Sequence, residues 1–322
     1  MSNELYSEIV RNTQGKKILL VGSSGNIGGR ALEILLKHGK ASSITAFDKK
    51  EPKIKELSDT VKVLSGNEAD ITNSNAVKNG VKGNTIVVCA VGVPRYTPSG
   101  EKKLTPYEIE QDGMQRIVDA AKAEGVEQII YISALGCARG DKIPKFHHAH
   151  LAKRNAEKTL IKSGINYTIL RPSGYFFDFR DLLAMAVAER YHVVEEGKAK
   201  VQPLHQDDTA AMLVASINNK KTINKIIPVG GLEIFTYSAL GKLFGKVLKK
   251  EVKIINLAPD RYKKEYFDSD VILFRATSDS ILTKKELDTM KALYPGLKLQ
   301  RLEDYLNNPD DPMLKAFFQK AI

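Results

Sequence analysis

The chain has 322 residues, 43% of them hydrophobic, which is enough for one large α/β domain with a smaller lobe. Its net charge of +11 comes from lysines scattered along the chain and accompanied by glutamates. This pattern is typical of a solvated surface, and no binding motif supports nucleic acid as a partner. No apolar run reaches the roughly 18 residues that a membrane helix needs, so no membrane span is expected.

The start of the chain and its cysteine content bear on localisation. The first residues, MSNELYSEIVRNTQGKK, lack the apolar segment of a secretory signal. Two cysteines, Cys89 and Cys137, do not indicate a disulfide framework. We therefore expect a cytoplasmic protein in a reducing compartment, without a metal centre. The sequence carries no signal for an oligomeric state.

Short β-branched runs alternate with amphipathic stretches over the first half of the chain. The runs are nearly all apolar, which indicates strands that are buried on both faces of a parallel sheet. Strict alternation of strand and helix predicts an α/β fold of the Rossmann type, with a doubly wound parallel sheet. The predicted strands are residues 16–22, 43–48, 61–65, 84–92, 127–133 and 166–172.

The alternation loosens beyond Pro172, which predicts a smaller C-terminal α/β lobe. We predict a dinucleotide-binding domain over residues 15–172, to which 205–230 returns, and a substrate lobe over 173–322. We expect Asp207 or Asp208 to be the N-cap of the helix predicted over 206–219, and Thr236 to be the N-cap of the helix predicted over 236–248. The predicted helices are 179–191, 206–219 and 236–248, and the predicted strands are 225–230 and 251–259.

The segment VGSSGNIGGR follows the first predicted strand and opens the first predicted helix. Its glycines have the spacing of a loop that turns tightly, approaches a pyrophosphate and packs a helix closely on a sheet. A glycine triplet alone is a weak signal, but a position between strand and helix is the context that this motif requires. The helix N-terminus offers free amides to phosphates. The expected contacts are Gly22, Ser24, Gly25, Asn26, Ile27 and Gly28.

Acidic residues follow the second and third predicted strands. Asp48 lies about twenty residues beyond the glycine loop, where a carboxylate binds the adenosine ribose and repels a 2′-phosphate. This position favours NAD, although Lys49 and Lys50 could neutralise a phosphate and leave NADP open. Asp70 is expected either beside the adenine, together with Ile71, or as a helix N-cap.

These segments resemble the short-chain dehydrogenase/reductase superfamily, and within it the atypical NmrA-like branch with its divinyl chlorophyllide reductase-like members. The resemblance covers nearly the whole chain and rests on VGSSGNIGGRALEILLKHG, IEQDGMQRIVDAAKAEGVEQIIYISALG, LAKRNAEKTLIKSGINYTILRPSGYF and HQDDTAAMLVASI. It implies a cofactor groove lined by Cys89, Ala90, Val91, Ser133, Lys153, Pro172, Ser173 and Tyr175.

Two departures from the family pattern concern catalysis. By resemblance, Lys153 binds the nicotinamide ribose and works with a tyrosine four residues earlier, but that position is Ala149. The serine of active members falls near Leu135, and Ser133 lies two residues earlier within the strand. Both departures leave the proton donor open.

His150 is the nearest replacement for the missing tyrosine. It precedes Lys153 by three residues and therefore lies roughly 60° from it around a helix. Histidine exchanges protons near neutral pH. The alternative interpretation is that His150 caps or solvates a helix end, and the other candidate donors are Tyr175 and Tyr96.

Two classes of function fit this sequence. The first is an NAD(P)-dependent oxidoreductase that transfers a hydride to a small-molecule carbonyl, enone or quinone-like substrate, which the C-terminal lobe favours. The second is an NmrA-like dinucleotide-sensing regulator or assembly factor without catalysis, which the missing tyrosine and serine favour.

Overall fold

The computed structural model describes residues 3–54, 57–93, 103–266, 268–308 and 314. These residues form two compact units. The first unit takes the described residues of Met1–Arg171, Asp207–Pro228 and Asp288–Lys298, and the second those of Pro172–Gln206, Val229–Leu287 and Leu299–Ile322. The segment Asp288–Lys298, which the sequence placed in the C-terminal lobe, therefore belongs to the first unit.

The strands in chain order are β1 (Lys17–Val21), β2 (Ser43–Phe47), β3 (Val61–Leu64), β4 (Ile86–Cys89), β5 (Gln128–Ile132), β6 (Asn166–Pro172), β7 (Arg190–Val193), β8 (Lys200–Val201), β9 (Lys225–Val229), β10 (Phe235–Thr236) and β11 (Lys253–Asn256). The α-helices are α1 (Asn3–Thr13), α2 (Gly28–His38), α3 (Ser74–Val81), α4 (Asp112–Glu124), α5 (His148–Lys162), α6 (Arg180–Val187), α7 (Gln206–Ala215), α8 (Tyr237–Leu248), α9 (Pro259–Glu265), α10 (Asp270–Thr277), α11 (Lys284–Leu293) and α12 (Leu302–Leu306).

A seven-stranded sheet with the order β3-β2-β1-β4-β5-β6-β9 forms the centre of the first unit. The predicted Rossmann-type α/β fold is confirmed. Strands β1 and β4 pair in parallel, from Ile18 opposite Ile86 to Val21 opposite Cys89, although β2 and β3 lie between them in the chain. The strand order therefore reverses between β1 and β4. At such a reversal the loops beyond the carboxyl ends of the strands diverge and leave a crevice for a ligand.

Apolar side chains from both faces of the sheet explain why the predicted strands formed. Strands β4 and β5 are buried at every position, so their nearly continuous apolar runs are covered by helices on both sides. One core cluster joins Val87 and Ile129 of these strands to Met114 and Ile117 of α4. This packing fixes the strand ends at which the candidate site lies.

The second unit contains two small sheets, an antiparallel pair of β8 with β10 and a parallel pair of β7 with β11. The helix predicted over 179–191 is too long. It ends at Val187, Glu189 has a left-handed φ of 59°, and the chain continues as β7. Burial explains the difference, because Tyr191 is fully buried and packs against Gly241 of α8. The predicted cap of α8 is confirmed, since Thr236 accepts a hydrogen bond from the Ala239 amide.

The cap predicted for α7 is wrong. The helix begins at Gln206, so Asp207 and Asp208 lie in its first turn. Arg30 of α2 donates to the Asp207 carboxylate and also to the Asn26 carbonyl, at 2.9 Å. The Asp207 side chain therefore forms an ion pair with α2, and not the helix cap that the local sequence pattern predicted.

We predict that Gly28→Ala destabilises the first unit by about 2 kcal/mol, because overpacking typically costs about 1–3 kcal/mol and the backbone at this position cannot move aside easily. A Cβ at Gly28 would lie 2.0 Å from the Gly22 carbonyl oxygen. The matched control is Gly29→Ala, whose Cβ would lie 3.6 Å from the Ser23 oxygen. Alanine there should be neutral or stabilising by up to about 1 kcal/mol. Urea unfolding measures both, and equal effects would contradict the packing argument.

Candidate dinucleotide-binding site

The glycine loop leaves no room for a side chain at Gly22 or Gly28, beside the crevice between β1 and β4. Gly22 has a φ of +85°, and a Cβ there would lie 2.8 Å from the Ala90 carbonyl carbon. The Gly25 amide donates to the Gly22 carbonyl at 3.1 Å and closes the turn into α2. Together with the contact of Gly28 on Gly22, this geometry forms a backbone cradle at a helix N-terminus. Such a cradle fits the pyrophosphate of a dinucleotide.

Asp48 follows β2 and lies directly against this loop. Its Oδ2 accepts a hydrogen bond from the Ser24 amide at 3.0 Å, and its Oδ1 accepts one from the Lys50 amide at 3.4 Å. The structure thus brings together the loop and the acid that the sequence placed about twenty residues apart. A carboxylate at this position can accept hydrogen bonds from ribose hydroxyls.

Asp70 forms an ion pair with Lys49, at 3.1 Å from its Nζ. Burial opposes ionisation of the carboxyl, but hydrogen bonds from the Thr72 hydroxyl and amide and the charge of Lys49 outweigh it and lower the pKa of Asp70. Asp70 does not cap a helix, because Asn73 is the N-cap of α3. The positive charge of Lys49 is therefore balanced by an ionised carboxylate.

Cys89 ends β4 at the floor of the crevice. Burial raises the pKa of its thiol to about 12, and the nearby Glu110 adds to this effect, so the thiol is neutral at physiological pH. Ala90 and Val91, which follow, are partly exposed. Ile71 is 7% exposed, and its side chain packs beneath Gly113 of α4. The Ile71 side chain thus belongs to the core.

Lys153 lies on α5 with its ammonium at the end of β5. Its Nζ donates to Glu110 Oε2 at 2.8 Å and to the Ile132 carbonyl at 3.2 Å, and lies 5.3 Å from the Tyr131 ring centroid. Glu110 belongs to the π-helical turn Tyr107–Gln111 that leads into α4. Sequence reasoning missed this carboxylate. The sequence does contain a signal for it, because Glu110 is an acidic residue three positions before Gly113 in a helix whose buried side chains are otherwise apolar.

Ser133 belongs to a buried ion cluster around Glu157, which lies one helical turn after Lys153 on α5. Its hydroxyl donates to Glu157 Oε1 at 2.6 Å, and Glu157 is fully buried. Arg171 binds both oxygens of Glu157, at 2.8 and 2.7 Å, and Arg154 binds one at 3.1 Å. The Ser133 hydroxyl is thus engaged with Glu157, and the predicted groove-lining role does not extend to that group.

His150 packs at the start of α5. Its ring stacks on that of His147, with centroids 3.6 Å apart. It also lies over Gly136, where an added Cβ would be 2.2 Å from the imidazole Cε1. Ala149, at the position of the family's tyrosine, is exposed. The helix start therefore presents an imidazole, not a phenol, next to the turn that carries Lys153.

The remaining predicted site residues belong to the second unit. The Ser173 amide donates to the Val229 carbonyl at 2.9 Å, and its hydroxyl donates to the Gln202 carbonyl. Tyr175 stacks on Phe177 with centroids 4.9 Å apart. Pro172 ends β6 immediately before these residues. Tyr96, the other candidate donor, lies outside the described residues.

This fold and this loop define a dinucleotide-binding α/β protein. The model of the NAD(P)H-binding family matches residues 22–220, and the chain belongs to that family. The match includes the glycine loop, Asp48, Lys153 and the β6 region. The predicted membership of the atypical short-chain dehydrogenase/reductase group and the predicted NAD(P) cofactor are confirmed.

Relatives of known sequence agree with this assignment. An uncharacterized chloroplastic protein of Arabidopsis thaliana is 33% identical over 172 residues, which cover 49% of this chain and 59% of that protein. The chloroplastic divinyl chlorophyllide a 8-vinyl-reductase of the same plant is 23% identical over 272 residues, 77% of this chain and 61% of the reductase. In both cases the chain spans about three fifths of the relative's length.

A solved structure shows the same fold. The NADPH-dependent quinone oxidoreductase QOR2 of Escherichia coli, complexed with NADPH, superposes with a TM-score of 0.70 at 20% identity, covering 90% of this chain and 98% of that one. None of the helices in the described part of the chain could span a membrane.

Proposed function

We propose that the protein is an NAD(H)-preferring oxidoreductase that reduces a small-molecule carbonyl, enone or quinone-like substrate. The observation that carries the proposal is the glycine cradle with a carboxylate at one end, Asp48, and a partly buried ammonium, Lys153, at the end of strand β5. The names of the plant vinyl-reductase and the bacterial quinone oxidoreductase support a reductase and activated double bonds or quinones as substrates.

The chain's own residues divide the work of binding and catalysis. The amides of Asn26, Ile27 and Gly28 bind the pyrophosphate. The Asp48 carboxylate accepts hydrogen bonds from the adenosine ribose hydroxyls, and Lys153 donates one to the nicotinamide ribose. When bound, the dinucleotide supplies the hydride. An imidazole nitrogen of His150 supplies the proton. We also propose the cytoplasm as the location.

A second candidate function is a dinucleotide-sensing regulator or assembly factor without catalysis. The observation that favours it is the exposed Ala149 at the position of the family's tyrosine, which leaves α5 without a phenol beside Lys153. Both functions require the cofactor, so binding alone does not separate them.

Turnover separates the two functions. We expect NADH oxidation by the purified protein with at least one member of a panel of quinones, enones and aldehydes, and slower oxidation of NADPH. The matched control is Gly22→Val, which should abolish both activities, because its side chain would collide with the Ala90 backbone. Tight NADH binding without turnover on any panel member would contradict the oxidoreductase and favour the regulator.

The cofactor preference follows from charge. Asp48 lies at the loop, and Lys49 is already paired with Asp70. We predict tighter binding of NADH than of NADPH by calorimetry, and a roughly tenfold or greater loss of NADH affinity in Asp48→Ala, as expected for a charged hydrogen-bond partner. The control is Asp59→Ala, an exposed carboxylate that precedes β3 at the opposite end of the sheet. Tighter NADPH binding would refute the preference.

The proton donor is tested with His150→Phe, because phenylalanine can still pack over Gly136 but carries no proton. We expect a loss of roughly a hundredfold in turnover with unchanged NADH affinity, the effect of removing a general acid. His148→Phe is the control, since His148 is exposed and contacts the Tyr107 hydroxyl instead. Full turnover in His150→Phe would exclude His150, and Tyr175→Phe and Tyr96→Phe would then identify the donor.

A further inference from the structure

A buried carboxylate beside Lys153 has no assigned role. Glu110 is 3% exposed, and its Oε2 accepts hydrogen bonds from Lys153 Nζ at 2.8 Å and from the Tyr131 hydroxyl at 2.9 Å. A Cβ at Gly92, three residues beyond the end of β4, would lie 3.6 Å from its Oε1. Glu110 therefore lies at the carboxyl ends of β4 and β5, on the same edge of the sheet as the glycine loop.

The charge of Glu110 depends on Lys153. A buried carboxylate is costly unless it is paired and hydrogen-bonded. Burial raises the pKa of Tyr131 well above its usual value, and Glu110 raises it further, so the phenol stays protonated and donates a hydrogen bond without balancing charge. The ammonium of Lys153 is the cation that Glu110 contacts. Loss of the proton from Lys153 would therefore leave Glu110 unbalanced.

The same contacts fix the direction of the lysine side chain. An ammonium has three donors. Two of them bind Glu110 and the Ile132 carbonyl in the described structure, which leaves one for a ligand. A lysine fixed in this way can donate to a ribose hydroxyl without losing further side-chain freedom on binding.

We propose that Glu110 is a positioning residue that keeps Lys153 charged and oriented toward the nicotinamide ribose. This inference rests on the proposed dinucleotide binding. It also assigns Lys153 a constant positive charge, so that the lysine binds the cofactor and does not donate the proton of the reaction.

The groups around the pair allow a pH test. Burial raises the pKa of Cys89 to about 12 and also raises that of Cys137. Glu157, on the next turn of α5, is balanced by Arg171 and Arg154. His147, His148 and His150 lie at the start of the same helix. Between pH 7.5 and 9.5, a pH-dependent change in cofactor affinity therefore reports on Lys153.

The test uses Glu110→Gln, which keeps the shape of the side chain and removes its charge. We expect NADH to bind on the order of tenfold more weakly at pH 7.5, the effect of losing a charged hydrogen bond. The affinity should fall further at pH 9.5, because an ammonium without its counter-ion loses its proton more easily. The wild type should stay constant over this range within about twofold, since its pair remains ionised. Titration calorimetry gives both values.

A double-mutant cycle distinguishes positioning from a general structural effect. In a Lys153→Met background, Glu110→Gln should change NADH affinity by less than about twofold, because the residue acts through the lysine. Glu127→Gln is the matched control, since it breaks another lysine–glutamate pair, with Lys16, that lies before β5 and away from the groove. That substitution should leave NADH affinity unchanged at both pH values.

Several outcomes decide the inference. Equal losses of affinity in the Lys153 and Lys153→Met backgrounds, or no loss in Glu110→Gln, would overturn it. If Glu110→Gln does not fold, Glu110→Asp replaces it, and weaker binding without the pH dependence is expected, because the charge is retained. A pH-dependent NADH affinity in Glu110→Asp would also overturn the inference. A wild-type protein that binds neither NADH nor NADPH would instead overturn the proposed function.

Discussion

The candidate site depends on the close approach of three backbone segments at the end of β1. Gly22 passes within contact of Ala90, and α2 begins against the Gly22 carbonyl at Gly28. A side chain at either glycine would separate strand, loop and helix. Because no side chain intervenes, the amides at the start of α2 are open to a ligand, and the positive end of the helix faces the crevice. The same loop binds Asp48, whose Oδ2 accepts a hydrogen bond from the Ser24 amide.

Buried ion pairs complete the groove on its other side. Glu110 with Lys153, and Glu157 with Arg171 and Arg154, connect α5 to the π-helical turn before α4 and to the end of β6. Each carboxylate is almost fully buried, so the pairs are maintained by the cost of leaving either charge alone. They fix α5 against the sheet and place one lysine donor at the crevice. A dinucleotide would thus meet fixed groups at both ends: a carboxylate for one ribose and an ammonium for the other.

Much of this architecture is local in the sequence and was therefore predictable. The strands of the large sheet appear as apolar runs, and the glycine loop appears as spacing, because both depend on neighbouring residues. The first two residues of β7, Arg190 and Tyr191, were predicted as helix, since they continue a helical pattern and only the burial of Tyr191 in the second unit decides otherwise. Glu110 was missed because its partner Lys153 lies 43 residues away. The hydroxyl of Ser133 was assigned to the groove for the same reason, since Glu157 is distant in sequence.

The proposed function requires one dinucleotide to span this groove from Asp48 to Lys153. A crystal structure of the complex with NADH tests it most directly. We predict the pyrophosphate on the amides of Asn26, Ile27 and Gly28, the adenosine ribose on the Asp48 carboxylate, and the nicotinamide ribose on Lys153 Nζ while the lysine keeps its bond to Glu110. A dinucleotide bound elsewhere, or bound at the loop with Lys153 making no ribose contact, would contradict the account.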